Sequence, residues 1–496
     1  MQKTRTRKTV ADVAQFVFSA DRGYKGTVRK EQLVAGILVA SLCAALGTGC
    51  GQASAMDDDS AQAPDAGTPT GSGCASECTG TTGVCELASG TCVQCTSAEA
   101  GACGGDAPVC GDDFECRACV ADTECTSGAC LPDGSCADPN TVVWVSTQAS
   151  GRGDCSQPGD ACASFSQAFA LVSDTRAYVH ASPGIYRLPS TLVIDKSLTL
   201  LGRGATLQTP AEDNVITVNG PPGNRVQLAF AKVENALGVL SRGIHCERGR
   251  ELTLHAVTLH NNMGGGVVAD GCTLRIEAST ITSSIGIGVF VRDAPITISK
   301  SNVLDNDAGG VVAINAPLTI SRTTIARNML GGVGSTGGAF HITNSFLVRN
   351  GIPENSSIGG ARLVSALPSV FQFNTVADNK SDRQVRGGGV DCLADNVTGG
   401  FNIFYRNQSG AAITERTQHF GLCAGSSSAM ALADNPFALS DPDFEHTYRL
   451  SARSPRTVRN AATGTNCGVA SDIDGQLRPN ESGCDLGADE YYASQN

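Results

Sequence analysis

Aromatic side chains are scarce in this 496-residue chain; Phe, Trp and Tyr together make up 5%. A core with few rings must be built from small and β-branched residues, and 58 glycines point the same way. Histidine is scarce too, at seven. His245, His255, His260 and His341 share no repeat column, so no Ser–His–Asp arrangement is visible from spacing. Positive charge is short. The first 49 residues hold eight Lys/Arg against three Asp/Glu, which leaves 28 against 45, or −17, in the remainder. An acidic body argues against nucleic acid and anionic membrane surfaces as partners. It also disfavours a highly anionic polysaccharide unless a cation bridges the two. The apolar run Leu33–Leu46 is shorter than a membrane span.

Cysteine is abundant instead. Twenty-two Cys imply an oxidising compartment.

The stretch Glu251–Gly338 reads as four consecutive units of 22 residues, and a fifth begins at Ala339. Leu252, Leu274, Ile296, Leu318 and Phe340 share one column. Leu254, Ile276, Ile298, Ile320 and Ile342 share another, two residues on and therefore on the same strand face. Leu259, Ile281, Val303, Ile325 and Leu347 form a third, and Val267, Val289, Val311 and Val333 a fourth. Each unit holds three short strands, too close for βαβ crossovers. Each hides its apolar residues only if the next coil stacks on it. The fold class predicted is all-β, a parallel β-helix with about 22 residues per coil. Asn262, Asn306, Asn328 and Asn350 form an amide column, interrupted by Ser284. Gly266, Gly288, Gly310 and Gly332 form a glycine column expected where the chain bends tightly.

The N-terminus has the parts of a secretory signal: Arg29 and Lys30, the apolar run, then Leu46-Gly47-Thr48-Gly49-Cys50. Gly-Cys resembles the lipobox of bacterial lipoproteins, although Leu46 sits one position early. The resemblance implies lipidation at Cys50 and, with Gly51 next, the outer membrane. Secretion after simple cleavage is the alternative. Residues 1–49 are thus read as leader and 50–73 as a disordered tether, rich in Pro, Gly, Ser and Asp.

Residues 74–137 hold twelve Cys and few large apolar residues, so a core there needs cross-links. Disulfides are the expected staple. Cys92-x2-Cys95 and Cys116-x2-Cys119 also have zinc-ribbon spacing. The segment resembles small Cys-rich repeats of bacterial surface lipoproteins and is read as a stalk. Later Cys fall in local pairs: Cys155 with Cys162, Cys246 with Cys272, Cys392 with Cys423, and Cys467 with Cys484.

Residues 138–496 form the second domain. A strand at Thr141–Ser146 precedes a helix whose stripe Phe165, Ala168, Phe169 and Val172 suits the end cap of a solenoid. The motifs V-H-A-S-P-G-I-Y (179–186) and L-T-L-L-G (198–202) follow. This order resembles the opening of right-handed parallel β-helix proteins of the pectate-lyase-like superfamily. Residues 371–391 also resemble the F-x-x-N and G-G-x repeats of polymorphic outer-membrane proteins. The ending D-I-D-G-Q-L-R-P (472–479) and D-L-G-A-D-E-Y (485–491) resembles a tail common to bacterial β-helix proteins. It is read as a structural cap, an Arg478–carboxylate network. Calcium held by Asp472, Asp474 and Asp485 is the alternative, since hard oxygens suit that ion.

Enzymes of this superfamily need clustered carboxylates or a basic residue on adjacent coils. Asp270, Arg292 and Asp293 lie on neighbouring coils, and Asp305 on the next. These are the catalytic candidates. The polygalacturonase motifs Asn-Thr-Asp, Gly-His-Gly and Arg-Ile-Lys are absent. Thr253, Thr297, Thr319, Ser299 and Ser321 face outward. The expectation is an exported, lipid-anchored, non-catalytic surface protein that binds glycans or a surface protein. A polysaccharide lyase or glycosidase, and a purely structural envelope protein, are the alternatives.

Overall fold

The computed structural model describes residues 78 and 83–493, except 87, 88, 90, 97, 152, 211, 383, 386, 426, 432–435, 438–447 and 464–466. The leader, Cys50 and the tether lie outside the described residues.

The chain divides into two compact units, Met1–Thr96 and Ser97–Asn496. In the first, Val84–Glu86 and Thr91–Val93 form an antiparallel hairpin, and Cys78 is bonded to Cys92.

The second unit is dominated by three parallel sheets of 11, 11 and 10 strands, each adding one strand per coil. The first sheet runs from Val142–Val145 to Val397–Gly400, the second from Gly184–Arg187 to Ala429–Ala431, and the third from Leu192–Ile194 to His419–Phe420. The expected columns are the interior. Leu252 pairs with Leu274, then Ile296, Leu318 and Phe340, all at most 1% exposed. Strands in register at ~4.8 Å bury each apolar row against the next coil.

Three corners separate the strands, and each is held by a residue in left-handed geometry. Ala256, Ala278, Lys300, Arg322 and Asn344 mark the first corner (φ 46–51°). Asn261, Ser283, Asp305, Arg327 and Arg349 mark the second (φ 53–59°). Gly249, Gly271, Asp293, Asn315 and Gly337 mark the third (φ 51–83°).

Two buried polar ladders run inside the corners. Asn306 donates its backbone N–H and its amide to Asn328 Oδ1 (3.1 and 3.0 Å). Asn328 does the same to Asn350, Asn350 to Asn379, and Asn379 to Asn407. Gln418 Oε1 ends the ladder. A second ladder changes residue type as it rises: Ser279, Ser301, Thr323, Ser345, Asn374, Asn402. Its hydroxyl or amide oxygens accept N–H groups that strand pairing leaves over at the corner. The glycine column has a different cause from the one expected. Left-handed φ falls one residue earlier, at Gly265, Gly309 and Gly331. At Gly310 a Cβ would lie 2.6 Å from Gly332 O and 2.8 Å from Asn328 Nδ2. These glycines make room for the amide ladder.

The helix Phe165–Leu171 covers the first coil. Phe165, Ala168, Phe169 and Val172 are buried, and Ser164 Oγ caps the N-terminus by accepting from Gln167 N. Lys196 Nζ donates to the carbonyls of Phe169 and Val172 at the other end.

Residues from Ser97 to Ala137 belong to the same compact unit as the β-helix. They carry Cys103–Cys116, Cys119–Cys130 and Cys125–Cys136, and the part from Asp122 to Ala137 lies against the outward face of the first coils. Ala129, Leu131 and Ala137 pack with Trp144, Leu201 and Ala229. Asp122 Oδ2 meets His180 Nε2 at 3.0 Å, and the His180 ring lies 4.2 Å from Trp144.

Candidate functional site

The four catalytic candidates fall on two corners. Asp270 and Arg292 end adjacent strands of the third sheet in direct register. Arg292 donates Nε to Asp270 Oδ1 at 3.1 Å and a terminal N–H to Oδ2 at 2.5 Å. Arg292 holds the Asp270 carboxyl below its usual range. Asp293, in the third corner, accepts from Arg248 (3.3 Å) and Asn315 Nδ2 (3.3 Å). Burial lowers the pKa of nearby His245, with Arg242 adding to it. The structure thus brings Asp270, Arg292 and Asp293 together, with Arg248 and His245 beside them. Asp305 stands apart in the second corner, before the strand Val311–Ile314, whereas the third corner follows that strand. Arg327 grips both Asp305 oxygens at 2.6 and 2.7 Å. One guanidinium thereby occupies both oxygens of that carboxylate. Asp293 and Asp305 also occupy columns whose other members are Asn, Ser, Gly or Arg, so left-handed corner geometry alone accounts for their positions.

The C-terminal segment lies along the flank of the later coils. Phe437, Tyr448, Leu450, Leu486 and Tyr491 join a cluster with Phe346, Phe373 and Ile403. Asn344 Nδ2 donates to Ser471 O, and Gly487 N to Phe401 O. Its carboxylates are spent on main-chain amides. Asp472 accepts from Asp474 N, Gln476 N and Glu490 N; Asp485 accepts from Asn460 N and Tyr491 N. Arg478, 7% exposed, donates to the carbonyls of Asp485 and Gly487 and pairs with Glu490 at 3.3 Å.

Asp472 and Asp474 have Asp489, not Asp485, as their neighbour. Arg449, a cation the sequence did not mark, reaches Asp474 at 2.8 Å and Asp489 at 3.1 Å. It places a positive charge among the carboxylates that would serve an ion. Burial raises Asp489 to about 7. The signal missed was the Arg449 guanidinium, far from the tail motif in sequence.

At the zinc-spaced positions the sulfurs are oxidised. Cys92 is joined to Cys78, Cys116 to Cys103 and Cys119 to Cys130, and Cys95 is also disulfide-bonded. The four later pairs, Cys155–Cys162, Cys246–Cys272, Cys392–Cys423 and Cys467–Cys484, are bonded.

The outward face of the first sheet carries two rows in coil register. One is Thr253, Arg275, Thr297, Thr319 and His341. The other is His255, Glu277, Ser299 and Ser321. Thr253, Thr297, Thr319, Ser299 and Ser321 are half-buried, with hydroxyls repeating at the coil spacing.

A family profile described as "Right handed beta helix region" matches residues 242–317. With the three stacked sheets, this defines the chain as a right-handed parallel β-helix protein. No curated protein matches the sequence. Among solved structures, pectate lyase Pel9A is similar at 16% identity and TM-score 0.47, over 71% of this chain and 96% of that one. A rhamnogalacturonan lyase is similar at 12% identity and TM-score 0.35, over 70% and 96%. Dettilon tailspike protein gp208 is similar at 10% identity and TM-score 0.27, over 60% and 69%. Likenesses this distant carry nothing about activity.

Proposed function

We propose that this is an exported, lipid-anchored surface protein whose β-helix binds a neutral glycan chain without cleaving it. One observation carries the reading. The candidate carboxylates are paired off at the corners, while the first-sheet face offers four outward hydroxyls on two successive coils, Thr297 beside Thr319 and Ser299 beside Ser321. Hydroxyl rows exchange hydrogen bonds with sugar hydroxyls, and the acidic body turns away polyanions. The many disulfides fit export and a compartment outside the reducing cytosol. Lipidation at Cys50 supplies the anchor to the outer membrane.

The test uses the full chain on immobilised neutral polysaccharides. Thr297→Arg with Thr319→Arg is expected to abolish retention while leaving Tm unchanged. Retention equal to that of the parent protein sinks the flank as the binding surface. Cys50→Ser is expected to release the protein from membranes; a variant still membrane-bound contradicts the anchor.

The alternative is a polysaccharide lyase centred on Asp270, Arg292 and Asp293. It is favoured by one observation, the gathering of those residues with Arg248 and His245. Unsaturated chain ends, lost on Arg292→Ala, would establish it.

A further inference from the structure

A cavity of about 600 Å³ opens beside the first strand of the β-helix, within the second compact unit. Thr126, Ser127, Asn140, Trp144, Gln157 and Arg176 contribute to its lining. Two of its walls are stapled. Cys125–Cys136 closes the loop carrying Thr126 and Ser127, and Cys155–Cys162 closes the loop carrying Gln157. Arg176 is fixed by donating to the carbonyls of Val142 (3.1 Å) and Cys155 (3.2 Å). Trp144 is held by its contact with His180. A site built this way is preformed, so a ligand bears little ordering cost.

The lining chemistry selects among ligands. Its size is that of a small-molecule site. Hydroxyls, two carboxamides and a guanidinium converge on it beside the edge of the largely buried Trp144 indole, a mainly polar mixture that suits a ring carrying several hydroxyls. Asn140 Nδ2 donates to Asp138 Oδ1 (3.1 Å), and Gln157 Nε2 donates to Asp160 Oδ2 (2.6 Å). These bonds leave the amide oxygens as acceptors, which match hydroxyl hydrogens and repel carboxylates. Their partners Asp138 and Asp160 bring two negative charges close to the single positive charge of Arg176.

We propose that this cavity binds a neutral sugar unit, as a monosaccharide or the end of a short neutral saccharide. The inference is separate from the flank reading, because it uses none of the first-sheet hydroxyls.

Trp144 is the chain's single tryptophan and reports on its own site. The full chain is titrated with glucose, galactose, mannose, N-acetylglucosamine and β-linked disaccharides of each, with galacturonate as the anionic comparator. Fluorescence and calorimetry are followed together. At least one neutral sugar is expected to give a saturable response in both. Asn140→Ala with Gln157→Ala, two exposed side chains, is expected to weaken it about tenfold without moving Tm, since roughly 1.4 kcal/mol of lost hydrogen bonding corresponds to that factor. The Thr297→Arg/Thr319→Arg variant is expected to titrate like the parent, which separates this site from the flank. No saturable response to any neutral sugar overturns the proposal. So does a response to galacturonate alone, or one unchanged in the Asn140/Gln157 variant.

Discussion

Replacing Asn328 with Ala removes the middle rung of the amide ladder. Asn328 is 0% exposed, so the groups it serves lie away from bulk water. Its Oδ1 is the acceptor for Asn306 N at 3.1 Å, and its Nδ2 donates to Val303 O at 3.0 Å. Both groups lie inside the corner and lose a partner in the variant. Asn306 Nδ2 keeps Ile281 O (3.3 Å), and Asn350 Oδ1 keeps Asn328 N (3.1 Å). Val303 O keeps its strand partner in the next coil, so one orphaned N–H, at Asn306, gives a loss of about 1–3 kcal/mol. For a domain of this size that lowers Tm by about 1–4 °C, scaling from an unfolding entropy of roughly 2.1 cal/mol/K per residue. Guanidinium unfolding measures the total. Amide exchange at Asn306 measures the place, because stacked coils open locally as well as globally. Faster exchange at Asn306, with Thr323 in the other ladder unchanged, is expected. A loss below about 0.5 kcal/mol, within the range of an ordinary surface change, refutes the ladder as a stabilising device.

Further outcomes follow from the same geometry. Ser284 interrupts the ladder and its Oγ has no partner, so Ser284→Asn is expected to add about 1 kcal/mol, read as a higher unfolding midpoint. Burial raises Asp489 to about 7, and also raises Asp472, Asp485 and Glu490, so the folded state holds these protons more tightly than the unfolded chain. Their contribution therefore improves as pH falls from about 7 towards 4, and Asp489→Asn is expected to flatten Tm against pH in that window. Asp270 has the opposite sign, and its contribution is lost below about pH 4. Reduction of Cys119–Cys130 and Cys125–Cys136 is expected to cost about 2–4 kcal/mol per bridge and to shift Trp144 emission to the red as its cover loosens.

The interior was legible wherever the period is strict. Leu252 to Phe340 step by 22 residues, and one apolar row per strand follows from side-chain alternation alone. Outside that block the step changes. Val226 pairs with Leu252, 26 residues on, and His341 with Val370, 29 residues on, because loops are inserted at the corners. The Ser279–Asn402 ladder was hidden because hydroxyls and amides exchange freely where only an acceptor oxygen is required. The covering of the first coils leaves a trace in the sequence: Val142, Trp144, Leu201 and Ala229 are apolar on outward positions, which a solvated face does not need. The candidate acids show the limit of a column argument. Neighbouring coils placed Asp270, Arg292 and Asp293 together, but sequence does not say that guanidinium groups occupy the carboxylates. Nor does it say that Asp305 turns a different corner. The tail motif gave Arg478 and its carboxylates, while Arg449 and the position of the segment along the flank depend on tertiary packing.

The most direct measurement incubates the full chain with neutral polysaccharides and follows retention and chain length in the same sample. The account predicts retention with no new reducing ends and no unsaturated ends, and loss of retention in the Thr297→Arg/Thr319→Arg variant. Chain shortening by the parent protein that disappears in Arg292→Ala would contradict it and make the third corner an active site.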